Sequence, residues 1–538
     1  MTLGRMSDEK GNVIYACSHI NVEEGQPQHH QSQSVVPVKR RRTTNNKGKV
    51  VLFHAPIGYF ESYNTPTGIL SVASYLQVKG YDVKYIDCSI ETDYREMILS
   101  ELDGALCVGV YAMSGHIKYL LPLLQEIKRV RPYLRVILGG PHATLFASQT
   151  AEDELIDFVV RGEGEGTLLE LAEAFERNET DFSDIKGITY QQDGKIVSTP
   201  DRGFMDMDSL PFVDWGLMSP VALQSMSKQI GRVQSARGCP YRCTFCINVV
   251  SKNGAMRYRS PTVVVDEIER MKKDYGVHRI GFRDEIFLTD RQHVREIAEE
   301  LIRRDLKITW LANPFPRFLR ESWVDDEFLG LLARSGCTKL SCGAESGSAR
   351  VLKMLQKPIT PEDIVNFVRR AGKFNITSVV SFMTGLPGET EEEQLETLAL
   401  IWKLLEIEPG THINGPALWR PYPGGDLFDK AQELGLEIPK TFREWVDLET
   451  LGGLNPPWVK NVHFNQFEWF HVKHARAANL GQIEETFNDT GWFKSLLRTI
   501  YAKVSLFRLK HASYRFLLDF KLLHRAWWLT SDIPPNHS

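Results

Sequence analysis

The chain has 538 residues, 42% of them hydrophobic and 25% charged, with a net charge of -4, enough for two or three cores and without a general pull toward nucleic acid. Its eight cysteines lack framework spacing, which argues against a secreted disulfide scaffold and for reduced thiols in the cytoplasm. The N-terminus has no charged-then-apolar signal pattern, and no apolar run reaches the roughly 18 residues of a membrane span.

Residues 1–47 are rich in Gln, His, Ser and Asn, include the basic run Lys39–Arg42, and read as a disordered polar tail whose charges are solvated. From 48 to 200, strand and helix alternate: KVVLFHAP, the helix GILSVASYLQVKG ending at Gly80, YDVKYIDCS, ALCVGVYAMS, the helix IKYLLPLLQEIKRV, LRVILGG and DFVVRGEGE. Such alternation predicts an α/β fold with a doubly wound parallel sheet, which binds ligands at the carboxyl ends of its strands. Turn residues fall at those ends: Pro56 and Gly58, Ser114 and Gly115, Gly139 and Gly140 in GGPHAT, and Gly162 and Glu163 in RGEGE. Glycine there lets backbone approach a ligand, although tight turns need glycine anyway and His142 could simply cap a loop.

Residues 201–225, around SLPFVDW, read as a linker. From 226 to 430 a second series runs through RGCPYRCTFC, IGFRDEIFLTD, ITWLANPFPRF, TKLSCGAESGS, ITSVVSFMTGLPGET and HINGPALWRPYPGG, with helices such as PTVVVDEIERMKKDYG between. Repeated strand and helix units predict a full or partial barrel of parallel strands with its active site at the carboxyl-end loops. Residues 431–538 read as a mostly helical region without an assignable motif. Within 494–528, eight Lys or Arg alternate with Leu, Phe, Tyr and Trp against the single acid Asp519. Such a helix can lie in a membrane interface, or its apolar stripe can pack over the barrel.

Three thiols, Cys239, Cys243 and Cys246, crowd one short stretch. Closely spaced thiolates point to a metal, either structural zinc, which wants four protein ligands, or an iron-sulfur cluster. No second pair follows at zinc-ribbon spacing, since Cys337 and Cys342 lie far downstream in a strand. A four-iron cluster held by three cysteines leaves one iron open to a ligand that is not protein. Cys17, Cys88, Cys107, Cys337 and Cys342 are read as small apolar residues, with Cys337 or Cys342 able to meet a radical if it faces the barrel interior.

The spacing CxxxCxxC, with Phe245 just before the third cysteine, resembles the signature of radical S-adenosylmethionine (SAM) enzymes. GAESGS (Gly343–Ser348), RVLKMLQKP and FMTGLPGET (Phe382–Thr390) look like later barrel segments of that family. PTGILSVASYL, LGGPHAT and VVRGEGEGT resemble the cobalamin-binding domain preceding the barrel in one large subclass, which is class B methyltransferase-like; the similarity spans roughly residues 49 to 430. The resemblance implies a [4Fe-4S] cluster on Cys239, Cys243 and Cys246 whose open iron chelates SAM, with reductive cleavage yielding a radical that removes a hydrogen atom. It further implies that Glu345 and Ser346 lie near the ribose or methionine part, and Gly385, Pro387 and Gly388 near adenine. Phe245 is carried over as a cofactor neighbour, and Ser114, Gly139, Gly140, His142, Gly162 and Glu163 as cobalamin-binding. Asp284 and Glu285 are pocket candidates or, alternatively, a charged strand end. No DxHxxG motif is present, so the lower cobalt face would lack a histidine; a degenerate domain without cobalamin is the alternative.

The function these features imply is C-methylation of an unactivated carbon in a biosynthetic pathway by a radical SAM enzyme using cobalamin. The alternatives are cobalamin-linked radical oxidation, cyclisation or ring rearrangement of a lipid-like or tetrapyrrole substrate, and a non-enzymatic cobalamin sensor. The expected partners are a small-molecule substrate, hydrophobic under the membrane reading, and an electron donor such as flavodoxin or ferredoxin, without nucleic acid. The expected location is cytoplasmic, at a membrane surface if 494–528 makes peripheral contact.

Overall fold

The structure is a computed structural model that describes residues 4–7, 13–16, 47–56, 66–223, 230–247, 255–421, 423–447, 456–459, 472, 475–476, 478–480 and 492–511. Gly58, most of the polar tail and residues 512–528 of the basic segment lie outside it. Within the tail, β1 (Gly4–Ser7) and β2 (Val13–Ala16) form an antiparallel pair, whereas the sequence suggests no sustained element; VIYA carries the β-branched and aromatic residues that favour a strand.

Seven strands make the first sheet: β3 (Lys49–His54), β4 (Asp82–Asp87), β5 (Ala105–Tyr111), β6 (Arg135–Gly139), β7 (Phe158–Val160), β8 (Ile188–Gln192) and β9 (Lys195–Ser198), in the order β4-β3-β5-β6-β7-β8-β9. The first five are parallel and the last two antiparallel. β3 is apolar almost throughout because both faces are covered. Val50 and Leu52 join Ile69, Leu70 and Leu171 of helices Thr67–Val78 and Glu165–Glu176. Val51 and Phe53 join Ile98, Ile117 and Leu120 of helices Tyr94–Glu101 and Ile117–Val130.

The second sheet follows β10 (Gly231–Val233), with β11 (Ala236–Arg237) and β12 (Arg257–Tyr258) paired separately, and continues with β13 (Arg279–Phe282), β14 (Thr309–Ala312), β15 (Cys337–Glu345), β16 (Thr377–Thr384) and β17 (His412–Leu418). Its order β10-β13-β14-β15-β16-β17 is parallel throughout, the partial form of the expected barrel. Its helices start on strong caps, such as the capping boxes Thr360/Asp363 and Thr390/Glu393, which satisfy the free amides of the first turn. The buried core of the barrel runs without a break into the Val50/Leu52 face of the first sheet.

The segment after the barrel returns to the first domain. Phe442 and Trp445 are buried in the Val51/Phe53 core, and Trp445 Nε1 donates to Gln149 Oε1 at 2.7 Å. Gln149 Nε2 donates to the Pro439 carbonyl at 2.8 Å, and Arg443 pairs with Asp153 at 2.7 Å and Glu154 at 3.0 Å. Helix Trp492–His511 buries Tyr501, Ala502, Ser505 and Leu509 while exposing Leu496, Ile500 and Phe507. Among the described residues no helix is long and apolar enough to cross a membrane.

Because Trp445 closes a core built by residues roughly 300 positions earlier, W445A is expected to lower stability by about 3–5 kcal/mol. Chemical denaturation followed by intrinsic fluorescence and circular dichroism measures that loss.

Candidate active site

Cys239, Cys243 and Cys246 follow a two-residue antiparallel stem, in which Ala236 faces Tyr258 and Arg237 faces Arg257. Gly238 takes the left-handed φ of +103° that lets the chain turn out of the stem. Two carboxylates from the end of β13 hold this entry. Asp284 accepts from the amides of Ser235 at 2.7 Å and Ala236 at 3.1 Å, and Glu285 accepts from Gly238 N at 3.1 Å. Burial pushes Asp284 up to about 7 against these hydrogen bonds. Asp284, a pocket candidate by sequence, is thus a buried clamp on the cysteine loop.

The loop is fixed on its other side by two later segments. Thr244 N donates to the Leu355 carbonyl at 3.0 Å, and Leu427 N donates to the Thr244 carbonyl at 3.3 Å. A Cβ on Gly425 would lie 2.6 Å from that carbonyl, which accounts for glycine in PYPGGD. Cys243 is buried, and Cys239 and Cys246 are half-buried. The three thiols are electrostatic neighbours of one another, and Cys239 and Cys243 also of Lys357. Burial pushes the Cys243 thiol up to about 11, with the Lys357 cation pulling the other way.

Lys357 belongs to a second buried constellation. Its Nζ donates to Glu345 Oε1 at 2.6 Å and lies 5.7 Å from the Phe245 ring and 5.0 Å from that of Phe315. Glu345 has φ +64°, and the pair lies across the strand where a Gly343 Cβ would sit 2.0 Å from Glu345 Oε1. The GAES pattern therefore makes room for an ion pair. Ser346 departs from expectation: fully buried, its hydroxyl lies 3.2 Å from that of Thr397 and accepts from Ser348 N at 3.1 Å, because the chain turns toward helix Glu391–Ile407. Gly385 and Leu386 donate their amides to Glu389 at 2.7 and 3.2 Å. Burial pushes Glu389 up to about 7. Pro387 is buried and Gly388 exposed.

At the carboxyl edge of the first sheet, His54, Asp87 and Tyr111 end three strands in mutual register. His54 Nδ1 is 3.9 Å from Asp87 Oδ1, and its ring centroid lies 5.4 Å from those of Tyr111 and His116. The sequence pattern singled out none of these four, although a polar residue closing an apolar strand was the available signal. A Cβ on Gly140 would lie 2.9 Å from the Ala112 carbonyl and 3.0 Å from Tyr111, so packing alone requires that glycine. Gly139 is less constrained, and Gly162, at φ +71°, has nothing within 4 Å of its Cβ direction.

His142 and Ser114 are not presented at this edge. His142 Nδ1 lies 3.0 Å from Ser114 Oγ, and its ring is enclosed by Phe146, Phe442 and Trp445 at 5.3, 5.6 and 5.2 Å. Its Nε2 is buried without a hydrogen-bond partner, and burial pushes its pKa down to about 3. The returning C-terminal segment, invisible to local pattern, supplies two walls of this cage.

Glu163 is also committed elsewhere. It pairs with Arg237 at 3.2 Å and with Arg257. Its neighbour Glu165, almost fully buried, accepts from Arg237 at 2.8 Å and Ser71 at 2.7 Å. Burial opposes the Glu165 charge, but Arg237 outweighs it and keeps the carboxyl below its usual range. The RGEGE loop of the first sheet thus fastens the residue two before Cys239.

Residues 54–172 match the model of the B12 binding domain, and residues 233–401 that of the radical SAM superfamily. The chain is 32% identical over 386 residues to the anaerobic magnesium-protoporphyrin IX monomethyl ester cyclase of Rubrivivax gelatinosus, covering 69% of this chain and 67% of that one. It belongs to the cobalamin-binding radical SAM enzymes. The uncharacterized methyltransferase PH0819 of Pyrococcus horikoshii is 28% identical over 405 residues, 74% of this chain and 84% of that one. The fold is similar to the radical SAM methyltransferase TsrM from Kitasatospora setae with cobalamin and a [4Fe-4S] cluster bound, at a TM-score of 0.61 and 20% identity, covering 73% and 76% of the two chains.

The cofactors of this radical SAM enzyme are a [4Fe-4S] cluster, SAM and cobalamin. The chemistry of the donor set fits: three thiols follow closely in one loop, two of them, Cys239 and Cys243, with the Lys357 cation as an electrostatic neighbour, and Gly162 leaves open backbone at the carboxyl edge of the cobalamin-binding sheet. Among the described residues no group of three or more His, Cys, Asp or Glu, the three cysteines included, is arranged for a single metal ion.

R237Q leaves the Glu165 charge buried without its partner and is expected to destabilise by about 3–5 kcal/mol. R237Q/E165Q should recover part of this, which a double-mutant cycle measures. The His142 pKa is lower folded than unfolded, so the unfolded chain binds the extra proton and stability falls as pH drops from about 6.5 toward 3, by up to about 1.4 kcal/mol per unit. In H142Q this slope should be absent, making the stability difference from wild type shrink as pH falls; denaturant midpoints between pH 4 and 7 test it.

Proposed function

We propose that Cys239, Cys243 and Cys246 hold three irons of the cluster and that the enzyme methylates a carbon of a small-molecule substrate. The observation that carries this reading is the Arg237 junction: the stem of the cysteine loop is ion-paired to the RGEGE loop at the carboxyl edge of the cobalamin-binding sheet. When bound, the cluster with SAM supplies the radical that removes a substrate hydrogen, and cobalamin carries the methyl group.

The chain's own part is to position and to exclude water. Asp284 and Glu285 hold the loop entry, and Thr244 is tied to Leu355 and Leu427. Phe245, with the Lys357–Glu345 pair, walls the thiols with apolar surface and a compensated charge. Gly385, Pro387 and Gly388, following β16, offer the backbone edge assigned to adenine, and Gly139, Gly140 and Gly162 the edge assigned to cobalamin. The single-electron reduction is assigned to a flavodoxin- or ferredoxin-type donor. Peripheral membrane contact through 494–528 is part of the proposal, with Leu496, Ile500 and Phe507 exposed on the described part of that segment. A second reading, radical cyclisation of a tetrapyrrole, is favoured by the 32% identity to the cyclase.

Anaerobic reconstitution with iron, sulfide and hydroxocobalamin tests the proposal. About four irons per chain, one cobalamin, and formation of both 5′-deoxyadenosine and S-adenosylhomocysteine are expected. C243A should lose the visible absorption of the cluster and all 5′-deoxyadenosine while keeping cobalamin. A C243A protein with full iron content would refute the ligand assignment, and 5′-deoxyadenosine without S-adenosylhomocysteine would favour cyclisation.

A further inference from the structure

The domain seam holds several arginines, and nearly all are answered. Arg237 pairs with Glu163 and Glu165, Arg257 with Glu163, and Arg259 with Glu267. Arg283 is the exception. It directly follows β13, next to the Asp284 and Glu285 that hold the cysteine loop, and its backbone amide is fixed to the Val233 carbonyl at 2.8 Å. Its side chain is half-buried, and among the described residues it makes no hydrogen bond and no ion pair.

Its electrostatic neighbours come from both domains: Tyr111, at the carboxyl end of β5, and Glu285. Burial lowers the Arg283 pKa, with both neighbours pulling the other way. Glu285 is exposed and accepts from Gly238 N at 3.1 Å, at the entry of the cysteine loop. Arg283 therefore stands half-buried between the end of β13 and the carboxyl end of β5. A half-buried guanidinium whose donors meet no acceptor is left unsatisfied unless a ligand supplies one, and its planar fork matches a carboxylate.

We infer that Arg283 anchors a carboxylate carried by the substrate, orienting it at the seam between the cobalamin-binding sheet and the cysteine loop. The inference rests on the proposed function and names the substrate class as an organic acid. The carboxylate of SAM offers the same chemistry, and the two sources give different results.

The test uses the full chain loaded with cluster and cobalamin, as wild type, R283Q and R283K, titrated with benzoate and its neutral match benzamide. Wild type is expected to prefer benzoate by roughly tenfold or more, R283Q to lose that preference and R283K to keep part of it. SAM affinity should stay within about twofold in all three. Equal binding of acid and amide to wild type, or a preference that survives in R283Q, overturns the assignment. A fall of roughly tenfold in SAM affinity in R283Q also overturns it, since the carboxylate would then be that of SAM. Failure of the radical reading shows separately, as a wild-type enzyme that forms no 5′-deoxyadenosine.

Discussion

The Arg237–Glu165 pair is the interaction on which the arrangement of the two halves depends. Both groups are buried or nearly so, and Ser71 supplies a further hydrogen bond to the carboxylate. A surface pair would contribute little; removed from water, each charge depends on the other. Because Arg237 lies two residues before Cys239, the pair ties the cysteine loop to the edge of a sheet formed more than 60 residues earlier. Glu163 repeats the link through Arg257, so the seam is crossed by a network rather than a single contact.

The cysteine loop has little regular structure of its own, and a loop holds reactive groups only if rigid elements hold the loop. Three different barrel segments do so: the end of β13 through Asp284 and Glu285, the stretch ending at Leu355, and the turn at Gly425. The Lys357–Glu345 pair adds a compensated charge beside the thiols and explains why a glycine must stand at 343. The glycine and acid motifs of the barrel thus serve the loop geometry as much as any cofactor surface.

The parallel sheets were legible because helix and strand periods alternate along the chain and short connections leave few topologies. The thiol site was legible because its three ligands are neighbours in sequence. Ser346, His142 and Glu163 were less so. Each lies in a motif that a ligand-binding edge would use, but its side chain direction is set by distant partners: Thr397 for Ser346, Phe442 and Trp445 for His142, Arg237 and Arg257 for Glu163. His54, Asp87 and Arg283 escaped notice for the converse reason, since their importance comes from neighbours on other strands.

By itself, then, the sequence determined the two α/β sheets, the cluster of three thiols and the family, because all three are written in local period and spacing. The tertiary structure alone decided which polar residues face the seam and which are spent on holding it. Burial makes that choice: an ion pair or a caged imidazole is settled by whatever packs against it, and here those partners stand as far off in sequence as Phe442 and Trp445 are from His142.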